Sequence, residues 1–169
     1  HMPSNLGELY ALGLEAPDRT FLVYQQERYS FAETLDMALR MARVLKEQFD
    51  ICLGDRVAIC ARNSPEWCIS YMAITLLGAI AVPMNSWWKT SELKYGLSDS
   101  GSKLCFLDPP RLKLVLPFLD PLQDQIILIK PEAEAEFPEF YQLIKSVAPL
   151  STAELNAIQV LPEASASIM

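Results

Sequence analysis

Histidine is absent from the chain except at His1, directly before Met2; the pair reads as a cloning scar, leaving residues 3–169 as the protein proper. Without an imidazole, no Ser/His/Asp triad, Cys/His couple or histidine-bearing zinc site can be assembled from these residues, and no metal site is expected. Glycine is also sparse, with six scattered residues and no cluster beside Ser, Thr or Lys. Phosphate loops aim successive backbone amides at oxygens, and neither Walker-type nor dinucleotide spacing occurs here. Cys52, Cys60, Cys68 and Cys105 form no C-x-x-C pair, and three of them lie in apolar stretches. They read as reduced core thiols, which suits the cytoplasm, and no basic-then-apolar leader opens the sequence. Positive charge is short as well: 14 Lys and Arg face 21 Asp and Glu, for a formal net charge of -7. With no local basic cluster to offset that charge, nucleic acid is excluded as a partner.

Charge of either sign is missing from Trp67 to Trp88. By length that segment could span a membrane. Gly78 and Pro83 interrupt it, however, and Ser64-Pro65-Glu66 opens it with helix-start chemistry, so it divides into a buried helix, a turn and a strand at Ile80–Val82.

About half of the residues are apolar, enough for a core. Helical spacing marks 6–14 as a short helix, and Phe21–Tyr24 with Arg28–Ser30 reads as a hairpin around a polar turn. Phe31, Leu35, Ala38, Ala42, Leu45 and Phe49 step by four and three along one helical face. Glu33, Asp36, Arg40, Arg43 and Glu47 fall largely on the other face. Ser30 and Glu33 have capping-box spacing. Val57–Cys60, Ile80–Val82, Leu104–Leu107 and Gln125–Ile129 read as strands, with the Asp55-Arg56 pair orienting the turn before the first. Between them, Ser64 caps a helix that is apolar on nearly every face and ends at Gly78. Thr90 is expected to cap a helix through about Ser98, and Asp108 one that starts at Pro109. Phe137, Phe140, Tyr141 and Ile144 suggest a short amphipathic helix, with loop from Pro149 onward. Alternating strands and helices predict the α/β class: a largely parallel sheet with helices on both faces.

Spacing alone therefore gives an α/β domain without a visible active site. Asn63 ends a predicted parallel strand, where ligands are often met, although beside a helix cap it also serves turn chemistry. Trp87 and Trp88 read as packing or a surface aromatic patch, with acyl-chain contact as the alternative. Glu132, Glu134 and Glu136 read as a solvated acidic loop.

Gly54-Asp55-Arg56-Val57-Ala58-Ile59, Asn63-Ser64-Pro65-Glu66-Trp67 and Leu77-Gly78-Ala79-Ile80-Ala81-Val82-Pro83-Met84-Asn85 closely resemble consecutive N-terminal blocks of the acyl-adenylate-forming (AMP-binding) synthetases. Tyr29-Ser30-Phe31-Ala32-Glu33 resembles the block before them, and Glu92-Leu93 through Asp99-Ser100-Gly101-Ser102-Lys103 the block after. Asn85-Ser86-Trp87-Trp88 is similar to a fatty acyl-CoA synthetase subgroup. The resemblance implies a two-step reaction, in which a carboxylate attacks the α-phosphate of ATP and coenzyme A then displaces AMP, with Mg²⁺ assisting. It also implies that residues 3–169 are the N-terminal part of the large domain and end before the phosphate-binding loop, since Ala166-Ser167-Ile168-Met169 resembles the approach to that loop. No catalytic or cofactor-binding residue of the family can be transferred onto this chain. Trp87, Trp88 and Asn63 remain the candidate substrate-binding residues. ATP, coenzyme A, a fatty acid and the remainder of its own polypeptide are the implied partners, with self-association and peripheral membrane contact left open. A stand-alone binding or scaffold domain, and an adenylating enzyme for an aryl, amino or carrier-bound acid, are the competing readings.

Overall fold

The computed structural model describes residues 20–24, 27–85, 87–119, 125–130 and 136–158, with side chains from Tyr29 onward. The expected helix over 6–14 and the acidic loop up to 135 lie outside the described residues, and Glu136 is exposed. Strands β1 (Thr20–Tyr24) and β2 (Glu27–Ser30) form an antiparallel hairpin. Helix α1 (Phe31–Gln48) follows at once, and its capping box is as expected: the Glu33 amide donates to Ser30 Oγ at 3.1 Å and the Ser30 amide to Glu33 Oε1 at 3.4 Å. Leu35, Ala38, Met41, Ala42, Val44 and Leu45 form its buried stripe.

The main sheet holds β3 (Arg56–Cys60), β4 (Ile80–Pro83), β5 (Leu104–Leu107) and β6 (Ile126–Leu128) in the order β4-β3-β5-β6, every pair parallel. Side chains alternate between its faces, and the two faces carry separate cores. Val57, Ile59, Leu104, Phe106, Ile127 and Ile129 pack under α1, α2 (Pro65–Leu76) and α5 (Phe140–Lys145). Ala58, Cys60, Cys105, Leu107 and Ile126 pack under α3 (Thr90–Ser100) and α4 (Pro109–Val115). This is the α/β sheet with helices on both faces that the sequence predicts.

Helix α2 is a buried helix for simple reasons. Ser64 Oγ accepts the Trp67 amide at 3.1 Å, and Pro65 occupies the first turn, where a missing N–H costs nothing. Gly78, at φ 70°, closes it with two reversed bonds, Gly78 N–H to Thr75 O at 3.0 Å and Ala79 N–H to Ile74 O at 3.2 Å. That is a Schellman stop, and its left-handed residue suits glycine.

Three expectations change. Thr90 is the first helical residue of α3 and not its cap; Glu92 Oε2 instead accepts the Lys89 amide at 3.3 Å, half of a capping box without a capping hydroxyl. The segment after Pro149 is not all loop, because Thr152–Ile158 forms helix α6, started by Ser151 Oγ accepting the Glu154 amide at 3.2 Å. Cys52 is exposed in the turn before β3, whereas Cys60 and Cys105 are buried and Cys68 half-buried; all four thiols are free. In that same turn Asp55 acts as expected: its carboxylate accepts the Cys52 amide at 2.7 Å and pairs with Lys103 Nζ at 3.3 Å.

Candidate functional site

In a parallel sheet, ligands collect at the carboxyl edge where successive crossovers diverge to opposite faces. Here that point lies between β3 and β5, since α2 leaves β3 onto one face and α4 leaves β5 onto the other. Its loops run through 61–64 and 108–111. Asp108 fills the crevice between them. Its Oδ1 accepts the Arg111 amide at 3.1 Å, and its Oδ2 accepts both the Arg62 amide at 3.0 Å and Arg111 Nη1 at 3.1 Å. The Asp108 and Arg111 side chains are only 13% and 11% exposed, so this pair is fixed packing. Burial, then the Asp108 carboxylate, pushes the neighbouring Cys60 thiol up to about 12, which removes it as a nucleophile at neutral pH.

The amides that a phosphate would need are thus already bound to a carboxylate, and the described residues do not fit ATP or Mg²⁺. Among them, no group of three or more His, Cys, Asp or Glu side chains could hold a metal ion.

The three candidate contact residues are placed unequally. Asn63 is exposed, just after β3 and before the Ser64 cap. Trp87 is 85% exposed, on a turn in which Asn85 Oδ1 accepts the Trp87 amide at 2.8 Å. Asn63 and Trp87 therefore follow the carboxyl ends of adjacent strands, β3 and β4. Trp88 differs. It is half-buried, and a Cβ at Gly96 would meet its Cζ3 at 2.8 Å, so the indole closes against α3 where only glycine leaves room. Packing is what Trp88 does here.

A second polar cluster has no signal in the sequence beyond the helix-start position of Glu66. The Glu66 side chain is fully buried in the first turn of α2. Its Oε1 accepts the Tyr141 hydroxyl at 2.8 Å and pairs with Lys130 Nζ at 3.0 Å. Oε2 is buried with no hydrogen-bond partner among the described residues. Burial, then the Glu66 carboxylate, drives the Tyr141 hydroxyl far above its ordinary value of 10.0, so it stays neutral. The available signal was a lone carboxylate at the head of an apolar helix. Nothing in the sequence pointed to Lys130.

Over residues 13–164 the sequence matches the family described as AMP-binding enzyme. Among curated proteins, the 4-hydroxybutyrate–CoA ligase 2 of Metallosphaera sedula is 28% identical over 113 residues, covering 67% of this chain and 20% of that protein. The long-chain-fatty-acid–CoA ligase FadD13 of Mycobacterium tuberculosis is 38% identical over 88 residues, covering 52% of this chain and 17% of that protein. Among solved structures, the N-terminal domain of FACL13 from Mycobacterium tuberculosis superposes with a TM-score of 0.73 at 26% identity, covering 90% of this chain and 38% of that one. The chain spans about a fifth of the length of the curated relatives it matches.

Proposed function

The chain belongs to the AMP-binding enzyme family, and from that membership we propose that residues 3–169 form the N-terminal part of the large domain of an ATP-dependent, AMP-forming fatty acid–CoA ligase. The observation that carries this reading is the match across 13–164, together with the ordered run of blocks from Tyr29 to Lys103. The similarity to a long-chain-fatty-acid–CoA ligase supports the fatty acid. Relatives named for 2-succinylbenzoate and 4-hydroxybutyrate favour a second reading, a smaller or aromatic acid.

The part played by these residues is structural support. The crevice at β3 and β5 is closed by Asp108, so ATP, Mg²⁺ and coenzyme A would be bound by residues outside this chain. When bound, ATP supplies the leaving pyrophosphate and the adenylate activation. Asn63 and Trp87, at the carboxyl edge, are the proposed contacts to substrate or to the remainder of the polypeptide, and Trp88 sets the turn beneath them. The free thiols support a cytoplasmic location; no described helix is long and apolar enough to cross a membrane.

ATP–pyrophosphate exchange tests the reading, run on a protein extended beyond Met169 with fatty acids of graded length, benzoate and 4-hydroxybutyrate. Exchange with fatty acids is expected; exchange only with the small acids would replace the substrate, and none with any acid would remove the ligase reading. The 169-residue chain alone should be inactive, and Mg²⁺-dependent ATP binding by it in calorimetry would contradict the closed crevice. Any uncovered apolar surface would drive self-association, which light scattering on dilution would reveal.

A further inference from the structure

We propose that the surface cavity at the amino edge of β6 is a binding site for an apolar cation, an alkyl- or arylammonium, separate from the crevice at the carboxyl edge. The ligase reading neither requires nor supplies such a site.

The cavity holds about 450 Å³, within the range of small-molecule pockets. Phe49, Leu116, Leu119, Ile126, Phe137 and Pro138 make its wall apolar, and Gln125 and Glu136 are its polar residues. Chain topology brings these together. Phe49 ends α1, where the chain turns toward β3, and Leu116 and Leu119 belong to the turn that precedes β6. Phe137 and Pro138 run beside β6, since the Leu128 amide donates to Pro138 O at 2.8 Å and Leu128 bridges Glu139 in parallel. All three segments therefore meet at the start of the strand, on the edge opposite Asn63 and Trp87. A smaller cavity of about 130 Å³ shares Leu119, Gln125 and Ile126 as walls and lengthens the space.

Wall chemistry sets the charge of the occupant. Glu136 is exposed, and among the described residues that line the larger cavity it alone carries a charge. The cation of the smaller cavity is Lys103, whose ammonium already donates to Asp50 O and pairs with Asp55 at 3.3 Å. A carboxylate or phosphate placed here would meet no uncommitted cation among the described lining residues, and an unpaired anion against apolar walls is costly. The sequence strengthens the sign. Leu119 is followed by Asp120, Gln125 is preceded by Asp124, and Glu136 closes the run Glu132-Ala133-Glu134-Ala135-Glu136. Between 119 and 136 these five carboxylates face one cation, Lys130, which pairs with the buried Glu66 at 3.0 Å. That stretch holds a net -4 of the formal -7 of the whole chain. A concentration of one sign draws in the opposite charge, and an apolar body behind the ammonium then gains by leaving water for the wall. Phe49 and Phe137 suit an ammonium further, because an aromatic face attracts a cation.

Calorimetry on the full 169-residue chain tests the site with three ligands that share one ring system and differ in charge: naphthylmethylammonium, naphthylmethanol and naphthoate. Affinity should fall in that order, with about tenfold between the two ions from one close charge at a partly exposed wall. Salt should weaken the ammonium and leave the alcohol unchanged. Glu136→Lys should invert the order of the two ions, and Glu136→Gln should bring the ammonium down toward the alcohol. Because Glu136 is exposed, neither variant threatens the fold. Leu119→Trp should fill the cavity and abolish binding of all three; if it fails to fold, the Glu136 variants carry the test alone. Pyrophosphate exchange, on which the ligase reading stands, is untouched by any of these measurements. No binding of any ligand at millimolar concentration, equal binding of all three, or an order that Glu136→Lys leaves unchanged would each overturn the proposal. So would an affinity that falls as protein concentration rises, which would give the cavity to a second copy of the chain.

Discussion

The two faces of the sheet are covered to different depths. On one, α2 is nearly sealed: Ile69, Met72, Ala73, Ile74 and Leu76 are buried, and Trp67 stacks on Tyr71 at 5.7 Å between α2's outer positions. On the other, α3 buries Leu93 alone, leaving Tyr95 71% and Trp87 85% exposed. Both helices link parallel strands, so the crossover does not explain the difference; what is laid over them does. Among the described residues, helix α2 has α1 beside it and α5 nearby, whereas α3 has the short α4 and the turn at Leu116–Phe118. Burial is therefore set by the second layer, and the α3 face is where further protein or a substrate edge would be accommodated.

The largest effect should come from breaking the sealed side. Ile74→Asp puts an unpaired carboxylate in the core under α1 and should cost several kcal/mol, read as loss of the cooperative melt. A parent-like melting curve would show α2 to be peripheral. On the open side, Leu93→Ala should cost about 2 kcal/mol, the low end for a buried leucine, because one flank of its helix can relax toward water. Tyr95→Ser should stay within about 0.5 kcal/mol. Equal costs at Leu93 and Tyr95 in urea titrations would mean that the outer surface of α3 is covered after all.

Thiol chemistry sharpens the contrast at single residues. At pH 8 iodoacetamide should modify Cys52 readily in the folded chain, with Cys60 protected by burial and by a pKa of about 12. Labelling of Cys60 at the rate of Cys52 would show the crevice at Asp108 to be open.

The smallest expected effect is electrostatic. Hydrogen bonds from Arg43, then from Ser151, hold the Glu154 carboxyl below its ordinary value of 4.5. A depressed folded pKa stabilises the fold above the unfolded value and loses that contribution as pH falls through the folded one. Acidification below about 4.5 should therefore loosen α6 before the core, and Glu154→Gln should remove that dependence. The pair is partly exposed, so salt should weaken it too. Peptide-level exchange between pH 3 and 5 would show whether α6 precedes the core.

Much of this architecture was legible because its signals are local. Ser30 with Glu33, Ser64 with Pro65, Asp108 with Pro109, and Gly78 each act within a few residues, and the strand at Leu104–Leu107 falls where an uncharged apolar run lies between polar neighbours. Thr90 misled because its hydroxyl suits a cap, while the Glu92 carboxylate can reach back one residue further, to Lys89. Helix α6 does carry a local signal, the capping-box pair Ser151 and Glu154, set beside the loop-like Pro149, but the rest of its support is remote: Arg43 Nη2 meets Glu154 at 3.0 Å from a helix more than a hundred residues earlier. Glu66 failed to show for the same reason, since its partners Lys130 and Tyr141 come from two distant segments. The candidate contacts Asn63, Trp87 and Trp88 divided along this line, with the glycine opposite Trp88 readable only in three dimensions.

Arg40 and Arg43 give the fold a schedule. Arg40 Nη1 donates to Val147 O at 2.6 Å, and Arg43 donates to Ala148 O at 2.7 Å and Pro149 O at 3.3 Å, acceptors that lie 105 to 107 residues downstream. At about 5–20 residues per second of synthesis, α1 emerges on the order of 5 to 20 seconds before those carbonyls exist. During that interval a nascent chain has its apolar stripe available to α2 while two guanidinium groups still point into water. The early part of the domain can therefore condense around α1 and α2, and the carbonyls of 147–149 dock last onto a waiting pair of arginines.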